Sequence, residues 1–128
     1  RVLKPKGIAA ISVPRRFPEK VCWMLSSDYH SNPGGHIHIF KSKTLISDFS
    51  NANFDYIKSH FSHAFHTPFW WLKCLLWNQK EHSKLIQWYE KLLIKDMFRF
   101  PRRPNPIEQF LNPILGKSTV LYFKKRAT

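Results

Sequence analysis

The turn Leu3-Lys4-Pro5-Lys6-Gly7 leads directly into the apolar segment 8–13, and this junction constrains the fold more than any other feature. Segment 8–13 is apolar or small on both faces, and Pro14 ends it. A strand that is covered on both faces shows this pattern, whereas a half-exposed strand alternates apolar and polar residues. The sequence therefore predicts a strand over 8–13 that is buried inside a parallel sheet.

Further elements follow from capping and turn residues. Pro18 suits the first turn of a helix, and Asn53 suits the left-handed conformation that ends one. The predicted segments in chain order are a helix near 18–27, a loop at 28–35, an extended piece at 36–40, a helix with Ser42 as its N-cap that stops near 51–53, and a strand at 54–59.

Residues 61–116 read as a helical, aromatic-rich insertion. Pro68 can open one helix, and apolar spacing predicts a second near 82–98. The proline-rich segment 100–113 predicts an irregular surface connection. After the insertion, 118–123 has the composition of a strong β-strand.

Three segments, in this order, resemble the class I S-adenosylmethionine-dependent methyltransferases. The turn at 3–7 is similar to the Leu-Lys-Pro-Gly-Gly turn before the family's fifth strand. Segment 35–54 resembles the family's Gly-His, its capped helix and the Ala-Gly-Phe that leads into the sixth strand, with Asn53 in place of the usual Gly. Segment 118–123 resembles the seventh strand, which is antiparallel and lies between the fifth and sixth. The resemblance covers about residues 1–60 and 117–125.

The resemblance implies an α/β fold in which residues 1–128 are the C-terminal half of a Rossmann-like methyltransferase sheet. This half has strands five to seven, the last one antiparallel, with the helical insertion at 61–116. It supplies the substrate side of the domain. The family's glycine-rich loop, which approaches S-adenosylmethionine, is absent from the 128 residues, and Gly34-Gly35 lacks the strand–turn–helix context of such a loop. We therefore expect a fragment that is inactive alone and binds the cofactor poorly, with the cofactor-binding residues in a missing N-terminal half.

Candidate site residues follow from the position of the first strand. Ligands of open α/β sheets bind beyond the carboxyl ends of the parallel strands, so Arg15 and Arg16 are candidates to hold an anionic substrate, although two exposed charges beside a helix start are common. Tyr29 is a further candidate for substrate binding. His30 and His36 are candidates for the general base, because the pKa of histidine suits proton abstraction.

Three further histidines recur at a spacing of three residues. His60, His63 and His66 would come together on a helical turn, and imidazoles bind transition metals. The chain has only 8 acidic residues and no HExxH motif. The sequence therefore predicts no metal centre.

Trp70 and Trp71 belong to an aromatic segment with three alternative interpretations. Aromatic residues at helical spacing most often pack in a core. They also line lids over apolar pockets, which would suit a small hydrophobic methyl acceptor. As a third alternative they anchor a protein at a membrane surface, where neighbouring lysines meet lipid phosphates.

The net charge of +13, from 21 basic and 8 acidic residues, indicates an affinity for anions. The basic residues are scattered, which disfavours nucleic acid as the partner. The alternative function from another class is nevertheless a non-enzymatic basic module that binds nucleic acid or an anionic membrane. Cys22 and Cys74 are far apart in sequence and lack CxxC spacing, which favours reduced thiols and a cytoplasmic protein.

Overall fold

The computed structural model describes residues 3–31, 38–100 and 105–127. Within them there are three strands and six α-helices, with three helices after each of the first two strands, and a short 3-10 turn at Trp77–Gln79 separates the fourth helix from the fifth. In chain order the elements are β1 (Ile8–Pro14), α1 (Arg16–Leu25), α2 (Ser27–Ser31), α3 (Ser42–Asn51), β2 (Phe54–Ser62), α4 (His66–Leu75), α5 (Lys84–Arg99), α6 (Pro106–Leu115) and β3 (Ser118–Lys125).

The three strands form one sheet in the order β1-β3-β2. β3 pairs antiparallel with both neighbours, so that Ile8 lies opposite Lys124 and Phe54 opposite Lys125. A bulge at Ile57 shifts the register of β2. The predicted antiparallel last strand, lying between the two earlier strands, is confirmed. The fold is mixed α/β with a small open sheet.

Helix α3 covers one face of this sheet and forms the main core with it. Leu45 of α3 packs with Val13, Leu121 and Phe123, all of which are buried. The opposite face is largely bare along β1, where Ile8 is 62% exposed and Ala10 and Ser12 are exposed. The prediction that 8–13 is a strand buried inside a parallel sheet is therefore wrong. In the described residues β1 pairs only with β3, which is antiparallel to it, and one face of β1 is not covered.

Helices α1, α2 and α4 enclose a second core. Cys22, Tyr29 and Cys74 are its buried members. The partly buried side chains packed against them are Trp23, Leu25, Trp70, Trp71 and Trp77. A third cluster joins α4 to α5 through Phe69, Ile86 and Leu93. The aromatic residues of α4 thus pack in a core, the first of their three predicted roles.

Several predicted boundaries differ from the structure. α1 begins at Arg16. The first residues of the predicted loop 28–35 are helical, because α2 continues to Ser31. Residues 32–37 lie outside the described residues. Lys41, not Ser42, is the N-cap of α3, and it has no side-chain cap. Asn53 has φ 65°, which confirms its left-handed conformation. β2 extends past the predicted end, to Ser62.

Segment 100–113 is not irregular throughout, because α6 begins within it. The Asn105 side chain accepts a hydrogen bond from the Ile107 amide at 3.0 Å and caps the helix. Pro106 is tolerated at the first helical position, because a backbone N–H there would have no partner within the helix. Pro113 lies inside α6, where it has no amide hydrogen to donate to the carbonyl four residues earlier. None of the described helices is long and apolar enough to cross a bilayer.

Candidate functional site

A cleft of about 560 Å³ lies beyond the carboxyl end of β1. The N-terminal ends of α1 and α3 lie beside it, and Phe61 of β2 and Thr119 of β3 complete its wall. Its lining residues are Val13, Pro14, Arg15, Arg16, Phe17, Lys20, Phe40, Lys41, Ser42, Lys43, Phe61 and Thr119. The cleft is thus at the end of the sheet where open α/β folds bind ligands.

The cleft is strongly basic. Among the described residues that line it, five are Lys or Arg and none is acidic. The N-terminal ends of two helices add positive partial charge, because their first amide groups have no partner within the helix. Apolar side chains such as Phe17 and Phe61 provide the rest of the surface. Such a cleft is suited to a ligand with an anionic group attached to an apolar body.

Arg15 is held in a fixed position by contacts on both sides of its guanidinium group. The group lies 3.8 Å from the centre of the Phe61 ring and donates a hydrogen bond to the Ile114 carbonyl at 3.1 Å. The Arg15 amide also donates to the Lys117 carbonyl at 2.8 Å. Burial lowers the pKa of Arg15 from its usual value. Arg16, the next residue, is exposed.

We expect Arg15→Ala to lower the free energy of unfolding by about 1–2 kcal/mol, because it removes the stacking on Phe61 and the hydrogen bond to Ile114. The matched control Arg16→Ala should change it by less than about 0.5 kcal/mol, as is usual for an exposed side chain. Urea unfolding of both variants measures the difference. Equal values would contradict the assignment of Arg15 as a structural residue.

A buried ion pair lies beneath α1. The Lys117 Nζ atom is 2.6 Å from Glu19 Oε2, and their side chains are 8% and 0% exposed. Tyr29 donates a hydrogen bond to Glu19 Oε1 at 2.9 Å, so both carboxylate oxygens have partners. Burial, together with the Glu19 carboxylate, raises the pKa of Tyr29. These contacts join α1 and α2 to the residue just before β3.

Two buried thiols border this ion pair. The Lys117 Nζ atom lies 3.6 Å from Cys22 Sγ. The hydrogen bond from Cys74 and the Lys117 charge lower the pKa of Cys22, although burial acts in the opposite direction. The hydrogen bond to Cys22, and burial, raise the pKa of Cys74. Both cysteines are buried free thiols.

The predicted site residues do not all meet at the cleft. Arg15 and Arg16 line it, whereas Tyr29 lies in the second core with its ring edge against Trp70 at 5.7 Å. Trp71 donates a hydrogen bond from Nε1 to the Pro18 carbonyl at 3.1 Å and packs behind the cleft residue Phe17.

The two candidates for the general base are His30 and His36. His30 belongs to α2. His36 lies outside the described residues. Their role as general base stays a prediction from the sequence.

Sequence reasoning missed several residues of the cleft. Lys41 and Lys43 flank the start of α3, and Phe61 holds Arg15. The only signal for the two lysines was their position beside a predicted helix start. Phe61 gave no signal at all, because it was assigned to the edge of the predicted insertion.

The histidines of β2 and α4 divide into two environments. His60 stacks on Tyr122 with ring centres 5.6 Å apart. His63 and His66 lie instead beside Glu108 of α6, which is buried. Burial raises the pKa of Glu108 and lowers the pKa of His66, and in each case neighbouring charges add smaller effects.

No family model, curated protein or solved structure matches this chain.

Proposed function

We propose that this chain is the substrate-side part of a class I S-adenosylmethionine-dependent methyltransferase, and that its basic cleft holds an anionic methyl acceptor. The observation that carries the proposal is the order of the sheet. A final strand, β3, lies antiparallel between β1 and β2, and β1 directly follows the Leu-Lys-Pro-Lys-Gly turn. This is the arrangement that the sequence resemblance implies.

The uncovered surfaces of β1 support the same proposal. Within the described residues β1 pairs on one side only, and its bare face carries the apolar residues Ile8 and Ala10. Proteins seldom leave an apolar edge strand open, because it can pair with other chains. In a larger α/β domain a further strand would pair with this edge and helices would cover this face.

The cofactor does not fit the cleft of this chain. S-adenosylmethionine carries a positively charged sulfonium, and the cleft has five cationic side chains and no carboxylate among its described lining residues. We therefore assign the cofactor contacts to upstream residues of a longer protein. In this proposal the cleft binds only the methyl acceptor.

The roles of the cleft residues follow from their positions. Arg16, Lys20, Lys41 and Lys43 surround the cleft with charges that bind an anionic group. Phe61 and the apolar wall bind the remainder of the acceptor. Such contacts orient the acceptor atom, and much of the rate of a transfer reaction comes from orientation. His30 and His36 remain the candidates for removing a proton from the acceptor.

The proposal is tested on the protein encoded by the reading frame extended upstream of Arg1. We expect the extension to encode a strand followed by a glycine-rich loop. The extended protein should bind one radiolabelled S-adenosylmethionine per chain in equilibrium dialysis. An extension without such a loop, or an extended protein that does not bind the cofactor, would overturn the proposal.

A second candidate function is a basic module that binds an anionic membrane. It is favoured by the exposed apolar side chains on α5 and α6, among which Phe98 is 82% and Phe110 80% exposed, in a chain of net charge +13. Co-sedimentation with phosphatidylserine vesicles that is lost at high salt, in a protein that does not bind S-adenosylmethionine, would favour this candidate over the enzyme.

A further inference from the structure

The turn between β2 and α4 brings two histidines to a carboxylate of α6. His63, His66 and Glu108 each offer one ligand atom, and these atoms lie within 4.8 Å of one another. The ligands of a tetrahedral zinc ion, at about 2.0–2.1 Å from the metal, are about 3.4 Å apart. Small rotations of the side chains are therefore enough to form a site.

The backbone of His63 is held in an unusual conformation. Its φ is 64°, in the left-handed region that residues other than glycine rarely adopt. The His66 amide donates a hydrogen bond to the His63 carbonyl at 3.1 Å, which closes the turn. Strained residues concentrate at functional sites, where surrounding contacts keep them in place. Here the strained turn places both imidazoles on the side of α6.

Helix α6 fixes this turn from outside. Asn112 Oδ1 accepts a hydrogen bond from the Ala64 amide at 3.0 Å, and the Glu108 carboxylate accepts one from the Phe65 amide. An ionised carboxylate has about four acceptor positions, so one amide leaves it able to bind a cation as well. Glu108 is thus in place before any ion arrives.

A buried polar atom at the same position has no partner. His66 Nδ1 is buried and forms no hydrogen bond with the described residues. Buried side-chain nitrogen atoms nearly always have a partner, and an exception requires an explanation such as a bound ion or water. A metal ion bound by both His66 and Glu108 would give this nitrogen a partner.

The local charge also favours a cation. Asp96 of α5 lines the same cavity of about 250 Å³ as Glu108, and its Oδ1 accepts a hydrogen bond from Asn105 at 2.7 Å. Two of the 8 acidic residues of a strongly basic chain therefore face one small cavity. The cavity can also hold a water molecule.

We propose that His63, His66 and Glu108 bind one zinc ion, with a water molecule from the cavity as the fourth ligand. Imidazole ligands select a transition metal over calcium or magnesium. Because the ligands come from α6, from the turn before α4 and from the first residue of α4, the ion links α6 to the start of α4. The sequence predicts no metal centre because the chain has only 8 acidic residues and no HExxH motif, and Glu108 is remote from the histidines in sequence. This proposal is independent of the proposed function.

The experiment is a zinc titration of the full chain after treatment with a chelator. We expect one ion bound per chain, a higher midpoint of thermal unfolding with zinc, and visible absorption typical of tetrahedral cobalt when Co²⁺ replaces zinc. His63→Asn removes one ligand, and asparagine tolerates the left-handed conformation. It should weaken zinc binding at least about tenfold, since loss even of a residue behind the ligands costs that much.

His60→Asn is the matched control, because His60 lies in the preceding strand β2, stacks on Tyr122 and is not one of the three clustered ligand residues. It should bind zinc as the parent chain does. Glu108→Gln provides a second test that keeps the size of the side chain. The proposal is overturned if the parent chain binds no zinc, or if His63→Asn and His60→Asn bind it equally well. In either case Glu108 serves only to cap the turn before α4.

Discussion

Lys117→Met is expected to lower the free energy of unfolding by about 3–5 kcal/mol. The substitution removes the Lys117 cation from a carboxylate whose side chain is 0% exposed, and removing one partner of a buried ion pair is strongly destabilising. Tyr29 still donates to Glu19 Oε1 but adds no positive charge. Urea unfolding followed by tryptophan fluorescence measures the effect, because Trp70 and Trp71 lie in the adjacent core.

Two controls separate the buried charge from other effects. The double variant Glu19→Gln/Lys117→Met should lose less than the sum of the two single variants, since it removes both charges of the pair together. Arg126→Ala breaks the exposed pair of Arg126 and Asp55, whose side chains are 44% and 59% exposed, and should cost less than about 1 kcal/mol. A loss in Lys117→Met no larger than in Arg126→Ala would show that water reaches Glu19.

The sequence predicted the parts of the fold that depend on local patterns. The last strand was recognised from its run of β-branched and aromatic residues, and Asn53 from the need for a left-handed residue after α3. Both signals lie within a few residues of the element that they specify. The antiparallel position of β3 came from the resemblance, because no local pattern encodes the order of strands.

Contacts between distant residues could not be predicted in the same way. Glu19 and Lys117 are both charged, and nothing in their neighbourhoods indicates burial. Glu108 gave no sign that it would lie beside His63, because the prolines around it predicted a loop. The bare face of β1 was missed for a related reason: an apolar pattern shows that a face should be covered, but not that the covering element is present.

Phe123→Ala is expected to lower the free energy of unfolding by about 3–5 kcal/mol, as is usual for a large aromatic side chain removed from a core. Phe123 is 0% exposed and stacks on Phe49 of α3 with ring centres 4.4 Å apart. The edge of the Tyr56 ring contacts it at 5.9 Å. Its loss leaves a cavity between α3 and the sheet, and thermal unfolding followed by circular dichroism measures the cost.

Tyr122→Ala is the control, because Tyr122 is the next residue of β3 and lies on the opposite, half-exposed face. It loses the ring contacts with His60 and Lys58 from a half-exposed position, so it should cost clearly less than Phe123→Ala. If both variants lose the same amount, the second face of the sheet must be covered in solution. The core would then have two sides, and the one-sided packing of α3 would no longer account for the stability of the chain.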